Sequence, residues 1–234
     1  MLHQRVVLLL LLTSDAAAMT SLATRSIGKL TPSSSCFLIC DVQDRFRSII
    51  HHGDSVVSTS NFLLRVASQL NIPALGTEQY PKAFGKTCDD VFNLTGESGA
   101  SESKLSFPIY EKKLFSMLTP EVSSHIQTLS PPPTSFILFG IEAHVCVQQT
   151  CLDLLSLGHE VHIVVDGTSS QSPLDREIAL QRMSQSGAFM TTAQSVAFML
   201  MGSAEHGEFK NVSKMIVEHG KVNNGFHEAA RSNL

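Results

Sequence analysis

Apolar runs along this chain are short, and stretches of helical period separate them. Cys36 to Cys40 is wholly apolar and stops at Asp41, the pattern of a strand buried on both faces. From Asp54, a residue able to cap a helix, Phe62, Leu63, Val66, Ala67 and Leu70 share one helical face, which predicts a helix to about Leu70. Pro73 to Thr77 reads as a second strand and Phe107 to Lys112 as a third. Thr119 and Pro120 form an N-cap and N1 pair for a helix to about Leu129, and Pro131 to Pro133 force an extended link. Ser135 to Phe139 is a fourth strand, broken by Gly140, and a helix from about Val145 to Leu157 ends at Gly158. Glu160 to Val165 is a fifth strand ending at Asp166, Pro173 to Ser186 is helical, and Ala188 to Thr191 is a short sixth strand before a helix from about Ala193 to Met201. Glu78 to Ser106 is polar and Gly-rich and reads as a long loop, a feature that compact domains usually keep for function.

Strands alternating with helices imply an α/β protein: three layers, with a six-stranded, mostly parallel sheet carrying helices on both faces. The expected boundaries are an N-terminal tail over 1–32, the domain over 33–202, and a C-terminal helix and tail over 203–234. In such sheets ligands bind beyond the carboxyl ends of the strands, so chemistry is sought just after each one. Asp41 follows the first strand, Lys112 and Lys113 the third, and Cys146 opens the helix after the fourth. Taken singly, the acid could be a turn-former, the lysines solvated and the thiol a small core residue. Together they make a coherent set. A helix start and a nearby ammonium favour the thiolate, and a carboxylate can take the thiol proton and later return it. His144, two residues before Cys146, is a rival base, and Ser169 and Ser170 could reach a pocket or cap the next helix.

Composition narrows the function classes. The chain has 234 residues and a net charge of −4, so it offers neither a basic footprint for nucleic acid nor a polybasic membrane patch. Five cysteines without a Cys-x-x-Cys pair fit a reduced, cytoplasmic protein rather than a disulfide framework. The first residues complicate that reading. Val6 to Leu12 is an apolar run too short to cross a membrane, and it has the form of a weak secretory signal or of part of a mitochondrial transit peptide. A start at Met19 would leave residues 1–18 outside the working protein.

The segments CDVQDRF (Cys40 to Phe46), TEQYP (Thr77 to Pro81), EKKLFSM (Glu111 to Met117) and GIEAHVCVQQT (Gly140 to Thr150) resemble those of the isochorismatase-like hydrolase family. VVDGTSSQS and RMSQSGAF add to the likeness, which runs from about Ser33 to Lys214. The resemblance implies a six-stranded parallel sheet and a triad of Asp41 as acid/base, Lys112 as cation and Cys146 as nucleophile. Lys112 is preferred to Lys113 because the family's lysine stands three residues before the phenylalanine matching Phe115. It also implies a cis peptide between Ile141 and Glu142, which turns the Glu142 N–H toward the substrate oxygen beside that of Cys146. Phe46, Gln79, Tyr80 and Phe84 are the expected pocket wall, and Gln43 is expected to hold the chain by hydrogen bonds. Metal-binding members carry histidines after the second strand, but here that region reads TEQYPKAFGKTCDD and has none, so no metal and no cofactor are expected. Cleavage of isochorismate is associated with members lacking the cysteine, so Cys146 points to an amide-type carbonyl substrate. The other expectations are a small-molecule substrate and a homo-oligomer, with an inactive binding protein as the alternative.

Overall fold

Alternate residues of each central strand face opposite layers, and this divides the core in two. The computed structural model describes residues 27–94 and 104–227. The N-terminal apolar run and Met19 lie outside the described residues, as does the middle of the long loop. The elements in order are β1 (Ser35–Cys40), α1 (Asp44–Arg47), α2 (Gly53–Gln69), β2 (Ala74–Gln79), α3 (Pro81–Phe84), β3 (Ile109–Lys112), α4 (Pro120–Thr128), β4 (Ser135–Ile141), a π-helical turn (Ala143–Val147), α5 (Gln148–Ser156), β5 (Glu160–Ser169), α6 (Pro173–Gln185), β6 (Phe189–Thr191), α7 (Ala193–Met201) and α8 (Phe209–His219). The six strands form one sheet in the order β3-β2-β1-β4-β5-β6, with every pairing parallel. Phe37, Ile39, Ile137 and Phe139 pack on one face with Phe62, Leu63 and Val66 of α2 and with α7 and α8. Cys36, Leu38, Phe136 and Leu138 pack on the other with Val122, Cys151, Leu154 and Met183, from α4, α5 and α6. Strands buried on both faces are what continuous apolar runs encode.

The chain turns from building the sheet outward in one direction to building it in the other between β1 and β4, the neighbours at the sheet's centre. Crevices open at the carboxyl ends of strands where the order reverses in this way. Several element ends differ from expectation. The helix expected to start at Asp54 begins at Gly53, with left-handed His52 before it and no side-chain cap, and Asp54 pairs with Arg47 at 2.6 Å. The apolar face of α2 is covered within the chain by α8 through Val212 and Ile216. Thr119 caps α4, as its Oγ1 accepts from the Val122 N–H. Ser172, rather than Ser169 or Ser170, caps α6. No helix among the described residues is long and apolar enough to cross a membrane.

Candidate active site

Asp41 leaves β1 in a left-handed conformation, φ 50°, which short polar residues tolerate better than bulky ones. Its two carboxylate oxygens are used separately. Thr77 Oγ1, on the neighbouring strand in register with Cys40, donates to Oδ1 at 2.8 Å. Lys112 Nζ, at the end of β3, reaches past β2 to Oδ2 at 2.7 Å. The same ammonium donates to Gln79 Oε1 at 2.7 Å, the Phe115 carbonyl at 2.8 Å and the Leu114 carbonyl at 3.1 Å. Four oxygens thus surround a cation with three protons, and its side chain is wholly shielded from solvent. Burial alone would lower the Lys112 pKa, but Cys40, Asp41 and Cys146 around it outweigh that and raise it. Lys113, one residue on, lies 5.8 Å from the centre of the Tyr80 ring.

The residues after β4 bring the thiol in. The Ile141–Glu142 peptide is cis, as the resemblance implied. The Glu142 carbonyl then accepts from the Val145 and Val147 N–H groups and closes the π-helical turn that carries Cys146. Thr150 fixes the turn from below: its hydroxyl donates to the Cys146 carbonyl at 2.7 Å and accepts from the Met117 N–H at 2.8 Å. The Cys146 and Cys40 sulfurs and an Asp41 oxygen all lie within 4.8 Å of one another. The structure therefore brings Asp41, Lys112 and Cys146 together. A group of this kind could ligate a metal ion, yet the ammonium on Asp41 already matches its negative charge.

A cavity of about 390 Å³ is lined by Asp41, Phe46, Gln79, Phe84, Phe115, Ile141, Glu142, Val145, Cys146 and Gln171. Phe46, Gln79 and Phe84 stand where expected. Tyr80 does not: it follows β2 in a left-handed turn, φ 36°, and its half-exposed ring meets Lys113 on a separate surface with Pro81 and Lys82. Gln43 clamps the end of β2, accepting from the Gln79 N–H at 2.8 Å and donating to the Gln79 carbonyl at 3.1 Å. His144 turns its Nδ1 to the Ser170 hydroxyl at 2.9 Å and is not in the cavity wall. Ser169 donates to the His51 carbonyl.

Ile141 and Val145 of the cavity wall escaped the sequence reading, and so did Cys40, Thr77, Phe115 and Gln171. Cys40 and Thr77 open two of the motifs, and their placement directly before Asp41 and in register beside it was the available signal. Phe115 and Gln171 come from loops after β3 and β5, and spacing gave no sign of their orientation. Cys40 is fully buried, and that burial, reinforced by Cys146 and Asp41, pushes its thiol well above the ordinary range, with Lys112 opposing. Cys88, in the long loop, is also fully buried and pushed up to about 12 by burial.

A parallel sheet of this order, with an acid, an ammonium and a thiol at its central carboxyl edge, defines an α/β domain of the isochorismatase-like hydrolase fold. Residues 35–195 match the family model described as the Isochorismatase domain, and the chain belongs to that family. It is 42% identical over 215 residues to the secreted isochorismatase effector Isc1 of Phytophthora sojae (strain P6497), covering 92% of this chain and 99% of that protein. It is 44% identical over 194 residues to isochorismatase domain-containing protein 2 of Xenopus laevis, covering 83% and 89%. The solved structure of the MAR1 ribonuclease from Caenorhabditis elegans superposes with a TM-score of 0.73 at 38% identity, over 84% of this chain and 96% of that one.

Proposed function

We propose that this protein is a metal-independent, cofactor-free cysteine hydrolase acting on a small carbonyl compound of the amide class. The observation that carries the reading is the approach of Cys146 to Asp41, within 4.8 Å, while Lys112 holds Asp41 at 2.7 Å. Burial makes a lone new charge expensive, so the useful proton transfer is one that leaves the net charge of the cluster unchanged. Passing the Cys146 proton to Asp41 does so: carboxylate and thiol become carboxylic acid and thiolate, and Lys112 stays cationic. The thiolate adds to the carbonyl carbon, and the N–H groups of Glu142 and Cys146 hold the oxyanion. Collapse breaks the C–N bond as Asp41 protonates the departing amine. A water that gives its proton to Asp41 then cleaves the thioester, which frees the acid and the thiol. Cys40, whose pKa is pushed well up, stays a neutral thiol throughout. A 390 Å³ cavity and a net charge of −4 favour a small molecule over a nucleic acid.

The test is a screen of small amides with Cys146→Ala as the blank. Cys146→Ala, Asp41→Asn and Lys112→Ala should each nearly abolish turnover, and the double variants should lose little more, because the triad fails with its first missing member. Chelators should leave the rate unchanged. A fold that has kept binding without turnover predicts no amide hydrolysis above the Cys146→Ala blank, and the reading falls if His144→Ala silences the enzyme while Asp41→Asn spares it.

A further inference from the structure

We infer that the site accepts an uncharged, apolar acyl group and discriminates against acyl groups that carry a carboxylate. The inference rests on the reading of Cys146 as nucleophile and adds the class of substrate. Beside Cys146, the apolar part of the cavity lining is Phe46, Phe84, Phe115, Ile141 and Val145. The Phe46 and Phe84 rings pack at 4.9 Å between centres, and Phe84 and Phe115, 36% and 51% exposed, stand at the mouth where an entering chain would meet them. The charged groups in the wall, Asp41 and Glu142, are both acids.

No described cation faces this space. Lys112 lies behind it, its three protons directed to Asp41, Gln79 and the carbonyls of Leu114 and Phe115. Arg45 is tied to the Ala83 carbonyl and Lys113 lies against Tyr80, and neither is in the wall. Glu142 accepts from the Gln171 N–H at 3.0 Å and from the Gln171 side chain at 3.2 Å, which fixes a negative charge at the rim. A substrate carboxylate would lose its water against phenylalanines and find no cation in the wall to pair with, a penalty that no lining residue offsets. Dicarboxylates of the isochorismate type are therefore poor ligands for this site, and neutral acyl compounds are good ones.

Two esters separate the charge from the shape. p-Nitrophenyl hexanoate and p-nitrophenyl hydrogen adipate share a chain length and differ in a terminal methyl against a terminal carboxylate. In each, Cys146 sulfur bonds to the acyl carbon, the bond to p-nitrophenolate breaks, and the thiol proton passes to Asp41. Release of p-nitrophenolate by the full chain, less the Cys146→Ala blank, gives kcat/KM, and intact mass shows the acyl group on Cys146. The hexanoate is expected to react about 10- to 100-fold faster, the range for leaving a charged group unpaired. Phe115→Lys, a cation at the half-exposed mouth, is expected to close much of that gap. Equal or faster reaction of the adipate, with Cys146 acylated, overturns the inference and leaves the nucleophile standing. Failure of both esters to acylate Cys146 in the folded protein overturns the nucleophile, and this inference with it.

Discussion

Cys40 and Cys146 sit in the same cluster, and what separates them is access. Cys40 is fully buried under the sheet edge with its pKa driven up by burial, whereas Cys146 lies in the wall of the cavity. Cys36, Cys88 and Cys151 are buried too, and burial pushes each of them up to about 12. A thiol reacts as its thiolate, so all four should be slow. Iodoacetamide at pH 7 should therefore label Cys146 at least tenfold faster than any other cysteine, as read by peptide mass spectrometry. Lys112→Ala removes the ammonium beside the cluster and should slow that labelling about tenfold or more, because the thiolate loses its counter-charge. Cys40→Ala should leave the rate within a few-fold. Fast labelling of Cys40 in the folded chain would refute this division of roles.

Among the elements, β4 decides whether the cluster can form. Gly140 pairs with Cys40 across β1 and β4 and has φ 119°, and a Cβ there would overlap the Cys40 carbonyl oxygen. Gly187, between α6 and β6, has φ 107° with nothing within 4 Å of its would-be Cβ. Gly187→Ala therefore meets backbone strain alone, about 1–2 kcal/mol, while Gly140→Ala adds overpacking for a total of about 3–5 kcal/mol. Urea unfolding of the two variants checks this, and equal costs would show that the contact with Cys40 relaxes freely. Read as a strand breaker, Gly140 instead lets β4 run on to Ile141. The other extensions have a similar origin. The strand read as ending at Thr77 continues through Glu78, whose buried carboxylate accepts from the Thr87 N–H and hydroxyl and pairs with Lys86. The strand read as ending at Asp166 continues to Ser169, with Asp166 Oδ1 accepting from the Ala193 N–H. Apolar periodicity finds a strand's interior, but it loses the carboxyl end, where buried polar groups are satisfied by partners far along the chain.

Across the whole molecule, the same contrast explains how much of the site was legible. Asp41 follows a strand, Lys112 closes one and Cys146 opens the helix after another, so parallel topology alone sends them to one edge. Tyr80 was misplaced because a single left-handed residue redirects its ring, and Gln171 was missed because its place depends on how far β5 extends. The α2 face of the sheet also carries buried histidines that tie stability to pH. His219, at the end of α8, stacks on Phe62 of α2 at 4.5 Å and 4°, and His162 of β5 stacks on Phe189 at 5.0 Å and 26°. Burial lowers the pKa of both; Asp166 partly offsets this for His219, where His227 adds to it, and Glu160 partly offsets it for His162. The unfolded chain holds these rings near the ordinary value of about 6.5 and so binds more protons than the folded one just below it. The stability they contribute is therefore complete above about pH 6.5 and is lost as the pH falls below it, a window above the ordinary carboxylate range of about 4. Thermal melts should show a Tm that is level from pH 8 to 7 and falls steadily from pH 6.5 to 5. His219→Phe, which keeps the stack on Phe62 without the titration, should flatten that fall. A Tm that stays constant or rises between pH 6.5 and 5, or a His219→Phe variant as acid-sensitive as the parent, would show that the buried rings take up protons at no cost to the fold.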